Sequence, residues 1–281
     1  MRFAMEKNEN GLKNKKLMFD KIDKFPVISE VFVSLEGEGN SIGEPSLYLR
    51  LSGCYSAKCS WCDSKYSWFS NKGSQLEKLG NDILEEIGDK DIRRVTITGG
   101  EPLHYMDSFV EIIDWLIDLG IKLEFIGIES NGNLLHRFEN TISTLKAFNT
   151  IYLKHKVEPV LTISPKLKAD ACYDNELKTD EIKAMYLKVI SNTLLFINAE
   201  NLYFKFVWDL NDSNEENLYF IEELKNNSVK NNHIMLMPWT PEEAMFENKT
   251  EWFTSQQITA KQALELGIKY SPRLHIDLNM D

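Results

Sequence analysis

Beyond residue 26 the chain switches repeatedly between two hydrophobic periods. Short apolar runs at 31–34, 47–52, 94–98, 122–129, 160–163, 202–207 and 233–237 are mostly bounded by Gly, Pro, Ser or Asn, the pattern of short buried strands. One-faced helical stripes lie between several of them. Leu76, Leu79, Ile83, Leu84 and Ile87 mark a helix over 75–87, and Phe109, Ile112, Ile113, Leu116 and Leu119 mark another, stopped at Gly120. Further helices are predicted over 179–197, 213–224 and 254–266, and 273–278 reads as a possible final strand. Strands alternating with helices imply parallel pairing with helices on the faces. Residues with reactive or polar side chains follow strands directly at Cys54, Glu129 to Asn131 and Ser164, as does Gly99. Barrels and open α/β sheets gather their sites at such positions, and about six strands are too few to close a (β/α)8 barrel.

Composition narrows the function classes. A chain of 281 residues with 43% hydrophobic content supports one sizeable α/β core, expected over 26–281. With 32 basic against 43 acidic residues and a formal charge of -11, a nucleic-acid footprint is disfavoured and a small substrate is expected. No run approaches the ~20 apolar residues that span a bilayer. Residues 1–25, rich in Lys and Asn without an apolar stretch, read as a solvated tail, neither signal peptide nor anchor. A reducing cytoplasm is the expected compartment.

The candidate chemistry is concentrated at Cys54, Cys59 and Cys62, three of the four cysteines in the chain. Clustered soft thiolates point to an iron-sulfur cluster or zinc rather than to disulfides. A structural zinc site closes with four ligands, and His104, the nearest histidine, lacks zinc-knuckle spacing, so zinc would need a remote partner. A four-iron cluster on three thiolates leaves one iron open to an exchangeable ligand. Three structural or redox cysteines are the remaining reading. Arg50 is a lone charge inside the apolar run Leu49-Arg50-Leu51, and its guanidinium suits two-point pairing with a carboxylate. Alone, Thr98 to Pro102 and Ser164 to Lys166 would read as exit turns and Ser64 as a cap. Cys172, in a polar segment, reads as an ordinary thiol, and His104 as a loop histidine.

Together these segments carry a resemblance. Ser34-Leu35-Glu36-Gly37-Glu38-Gly39, Arg50-Leu51-Ser52-Gly53-Cys54, Cys59-Ser60-Trp61-Cys62-Asp63-Ser64, Thr98-Gly99-Gly100-Glu101-Pro102 and Ile163-Ser164-Pro165-Lys166 stand in the order found in the 7-carboxy-7-deazaguanine synthases, a branch of the radical S-adenosylmethionine (SAM) enzymes. From about Val31 to Lys166 the chain resembles that family. It departs in having four residues in the first cysteine gap instead of three, Ser64 for a usual threonine and Glu36 for a usual glutamine.

The resemblance implies an α/β fold, an incomplete TIM-type barrel of about six parallel strands with few helices. It also implies a lyase of queuosine precursor synthesis that converts 6-carboxy-5,6,7,8-tetrahydropterin to 7-carboxy-7-deazaguanine with loss of ammonia. Cys54, Cys59 and Cys62 would hold a [4Fe-4S] cluster. Gly100, Glu101, Ser130, Ser164, Pro165 and Lys166 would bind SAM, and Leu35, Glu36, Gly37, Arg50 and Thr98 the substrate. Ser64 would bind Mg2+. No acid or base residue is singled out as catalytic. A flavodoxin or ferredoxin as reductant and a homodimer are further implications. Alternatives from other classes are a glycyl-radical activase and a zinc-binding interaction module. Met237, Arg273 and His275 stand near candidate strands without an assigned role.

Overall fold

A computed structural model describes residues 26–54, 59–60, 62, 64–68, 76–173, 177–196, 199–240 and 249–280. Among the described residues eight strands form one sheet in chain order. β1 (Ile28–Leu35) pairs antiparallel with β2 (Pro45–Leu51). β3 (Arg94–Gly99), β4 (Phe125–Ser130), β5 (Glu158–Ile163), β6 (Leu202–Trp208), β7 (Ile234–Pro238) and β8 (Lys269–Tyr270) then add in parallel. The helices are α1 (Leu76–Ile87), α2 (Phe109–Asp118), α3 (Phe138–His155), α4 (Ala169–Tyr173), α5 (Thr179–Phe196), α6 (Glu215–Asn226), α7 (Lys249–Leu266) and α8 (Leu274–Asp277).

From β2 to β5 alternate residues form one buried apolar face, while Arg50, Thr96, Thr98 and Glu129 lie on the other. Leu47, Leu49, Leu51, Val95, Ile97, Ile126, Leu161 and Ile163 are fully buried, as are Phe109, Ile112, Ile113 and Leu116 on α2. Each such side chain stabilises the fold by about 1.5–3 kcal/mol. Among the described residues β8 and β1 do not pair, so the barrel stays open on one side. Polar pins cross the gap instead: Leu274 N–H donates to Gly37 O at 2.8 Å, Gly39 N–H to Ser271 Oγ at 2.8 Å and Lys269 Nζ to Asn40 Oδ1 at 2.8 Å.

Three elements differ from the sequence reading. The parallel set, expected at about six strands, runs from β2 to the two-residue β8, and β1 adds an antiparallel strand at the other edge. Residues 273–278, expected as a strand, contain the short helix α8; β8 takes the sheet edge and the pin at Leu274 turns the chain away from it. Helix α3 has no clear apolar stripe because Thr141 and Thr144 are buried with Ala147, Phe148 and Ile151. Their hydroxyls are satisfied by the backbone carbonyls of Leu135 and Asn140, at 2.9 Å each.

Candidate active site

The C-terminal ends of the parallel strands surround a cavity of about 500 Å³. Cys54 follows β2 and lines it with Cys59 and Cys62. Cys54 and Cys59 are buried, and none of the four cysteines is in a disulfide. Among the described residues no three His, Cys, Asp or Glu side chains converge as they would on a single ion. Three sulfur donors lining one cavity fit a four-iron cluster, three of whose irons would each take a thiolate.

Cys172, expected in polar surroundings, is fully buried, with its Sγ 3.3 Å from Cys59 Sγ. Helix α4 turns it inward, against Cys59. The Cys172 contact, then burial, push the Cys59 thiol up, while Lys166 opposes them.

The turn after β3 is shaped by Leu51 and Gly53, at the exit of β2. Gly100 N–H donates to Leu51 O at 2.8 Å and Glu101 N–H to Gly53 O at 2.9 Å. A Cβ on Gly99 would stand 2.3 Å from Leu51 O, and one on Gly100 would stand 2.2 Å from Gly53 O. These glycines let β3 close on the residue before Cys54. Glu101 is buried and does not line the cavity. Its carboxylate accepts from Ser130 Oγ at 2.6 Å, Leu103 N–H at 3.0 Å and Asn131 N–H at 2.8 Å, which makes it a brace for the turn and the end of β4. Burial pushes its carboxyl up, against those donors.

Gly100, Ser130, Ser164 and Lys166 line the cavity, whereas Pro165 faces a smaller depression behind it. Lys166 Nζ lies 3.3 Å from Ser164 Oγ. Lys166 N–H donates to Tyr186 OH at 2.9 Å, and that hydroxyl donates to Asn131 O at 3.0 Å, linking the exits of β4 and β5.

Leu35, Glu36, Gly37, Arg50 and Thr98 also line the cavity. Arg50 Nε pairs with Glu30 at 2.7 Å and Nη1 donates to Ser64 Oγ at 3.0 Å. Its guanidinium lies between the rings of Phe32 and Tyr66, 5.5 and 5.8 Å from their centroids. Ser64 makes no side-chain cap bond to the turn that follows, so its hydroxyl serves the arginine and the cavity instead. Glu36 is buried and accepts from Tyr48 OH at 2.9 Å and from Thr96 Oγ1. Burial raises its carboxyl and Glu129 adds to this, while the two hydroxyls oppose. His104 lies in the 3-10 turn Pro102–Ser108 and does not line the cavity.

Met237, Arg273 and His275, left without a role in the sequence reading, line the cavity with Glu38 and Lys205, and so does Glu129, a weaker cofactor candidate at the end of β4. Arg273 Nε pairs with Glu38 at 2.9 Å and Nη1 donates to Thr240 Oγ1 at 2.9 Å.

A family profile described as "4Fe-4S single cluster domain" matches residues 35–158, which contain the three cysteines. The 7-carboxy-7-deazaguanine synthase of Clostridium acetobutylicum is 30% identical over 195 residues, covering 68% of this chain and 79% of the relative. The chain belongs to the 7-carboxy-7-deazaguanine synthase family. A further member, from Pyrobaculum aerophilum, is 25% identical over 256 residues, 89% of this chain and 92% of its own length. The crystal structure of QueE from Escherichia coli aligns with a TM-score of 0.54 at 21% identity, over 93% of this chain and 99% of that one. It shares the open, mostly parallel sheet. Among the described residues no helix is long and apolar enough to cross a membrane.

Proposed function

We infer that this chain carries its family's activity as a radical SAM lyase, converting 6-carboxy-5,6,7,8-tetrahydropterin to 7-carboxy-7-deazaguanine with loss of ammonia. The observation that carries this is one cavity lined by the three cysteines, Gly100, Ser164 and Lys166 on one hand and by Glu36, Arg50 and Thr98 on the other. Its volume of about 500 Å³ suits a small flat substrate beside a nucleoside cofactor, rather than the polypeptide of a glycyl-radical activase. Cys54, Cys59 and Cys62 would hold the cluster, and Gly100, Ser130, Ser164 and Lys166 would border SAM, with Glu101 and Pro165 supporting from behind. When bound, cluster and SAM supply the radical that takes hydrogen from the substrate. The chain's own residues bind, orient and exclude water. A small redox protein as electron donor, a homodimer and a reducing cytoplasm complete the reading. Anaerobic turnover of the pterin by the reconstituted protein tests it.

Arg50 is the proposed partner of the substrate carboxylate, held on the cavity wall by Glu30, Ser64 and two aromatic rings. Arg50→Ala is expected to weaken pterin binding by about 1.5–3 kcal/mol, the range for a hydrogen bond to a charged group. Arg50→Lys should recover only part of it, because an ammonium lacks the planar fork. Equilibrium binding under anaerobic conditions measures this, and parental affinity in Arg50→Ala would remove the residue from the role.

Ser64 is the proposed protein ligand of Mg2+. A hard cation that keeps most of its shell for water and substrate oxygens needs few protein ligands, and this buried hydroxyl stands beside the arginine that would hold the substrate carboxylate. Added Mg2+ should raise turnover in the parent and in Ser64→Thr but hardly in Ser64→Ala. Equal stimulation of all three variants would exclude Ser64 as the ligand.

A further inference from the structure

Lys205 lies within β6 between Phe204 and Phe206, and its side chain is 5% exposed. Its ammonium makes two ion pairs, with Glu129 Oε2 at 2.7 Å and Glu38 Oε2 at 2.8 Å. The two carboxylates arrive from separate parts of the fold, Glu129 from β4 and Glu38 from the loop after β1. All three residues line the cavity. Burying an ammonium in a barrel strand is unfavourable unless good geometry offsets it, and an apolar residue there would often be neutral or stabilising. Like charges on one wall would also push apart without the cation between them. Burial raises the Glu38 carboxyl, but Lys205, then Arg273 and His275, outweigh it and hold the group well below the usual carboxylate range. The geometry therefore has a use beyond stability.

We propose that Lys205 is a positioning residue that clamps Glu38 and Glu129 side by side on the cavity wall, so that their remaining lone pairs meet the N–H donors of the bound heterocycle. The proposal rests on the pterin reading above. Lys205 acts through the carboxylates, so its loss and theirs are coupled. Replacing it by methionine keeps an unbranched apolar stem and removes the ammonium that makes the clamp, whereas arginine retains a cation that can bridge both.

Pterin affinity is measured anaerobically on the reconstituted full chain for the parent, Lys205→Met, Lys205→Arg, Glu129→Gln and the Lys205→Met/Glu129→Gln pair. Lys205→Met is expected to bind about 30-fold or more weakly, as when one partner of a buried charge pair is removed, and Lys205→Arg to recover most of the loss. The double variant should bind within about threefold of the weaker single variant, the non-additivity of residues in one network. Parental affinity in Lys205→Met, or losses that multiply in the double variant, would overturn the clamp. Urea unfolding without substrate gives a second readout. Glu129→Gln should restore part of the midpoint lost in Lys205→Met, or restore folding if the single variant fails to fold, because it removes an orphaned buried charge. Midpoints that fall additively, or no restored folding, would count against the clamp. A parent that binds no pterin would defeat the substrate reading alone, and the unfolding comparison would still decide the clamp.

Discussion

Alanine at Cys54, Cys59 or Cys62 is expected to strip iron and sulfide from the reconstituted protein and to abolish SAM cleavage, while Cys172→Ala keeps both. Each of the three thiols borders the cavity, and a cluster with three protein ligands has none to spare. Cys172 does not line the cavity, although its sulfur lies 3.3 Å from Cys59. That proximity makes the comparison informative, because Cys172 is the one thiol near enough, among the described residues, to take over from Cys59. Iron and acid-labile sulfide assays on the four variants check it. Cluster retained in Cys59→Ala and lost in Cys172→Ala would move the ligand assignment to Cys172.

Gly99→Ala is expected to be the most damaging single methyl group near the site. Gly99 has φ +108°, a region that costs an L-residue about 1–2 kcal/mol or more. Its new Cβ would meet Leu51 O at 2.3 Å and Leu51 N at 2.5 Å, backbone atoms of the strand that pairs with it through Leu51↔Gly99. Rotamer changes cannot relieve a clash with a paired backbone, so overpacking adds about 1–3 kcal/mol. The sum, about 2–5 kcal/mol, corresponds to a fall of roughly 5–15 °C in the thermal midpoint of a chain this size. Because Gly100 and Glu101 bond to Leu51 and Gly53, the shift should also reach Cys54 and lower iron content. A parental midpoint would show that the backbone at Leu51 and Gly99 yields to the added methyl group and would remove the predicted clash.

The strands were legible because alternate apolar residues such as Leu47, Leu49 and Leu51 bury one face of the sheet, and the cysteines because thiols are scarce. Most of the residues marked by the motif resemblance line one cavity. The resemblance could not show that the Glu101 carboxylate is consumed by Ser130, Leu103 and Asn131, since satisfaction by neighbours is a property of packing. β8 spans two residues, too short for any period, and α3 buries threonines that look polar in sequence. Cys172 sits among polar residues in the chain yet faces inward, which only the turn of α4 decides. Lys205 is the instructive omission. The signal that marked Arg50, one charge within an apolar strand, was equally present in Leu202–Trp208. Its two partners lie 167 and 76 residues away, so nothing local gave the lysine a purpose.

The most direct test of the account is anaerobic incubation of the reconstituted full chain with 6-carboxy-5,6,7,8-tetrahydropterin, SAM, Mg2+ and a chemical reductant, followed by product analysis. The account predicts 7-carboxy-7-deazaguanine, with one ammonia released per pterin consumed. Reductive cleavage of SAM with the pterin recovered unchanged would contradict it.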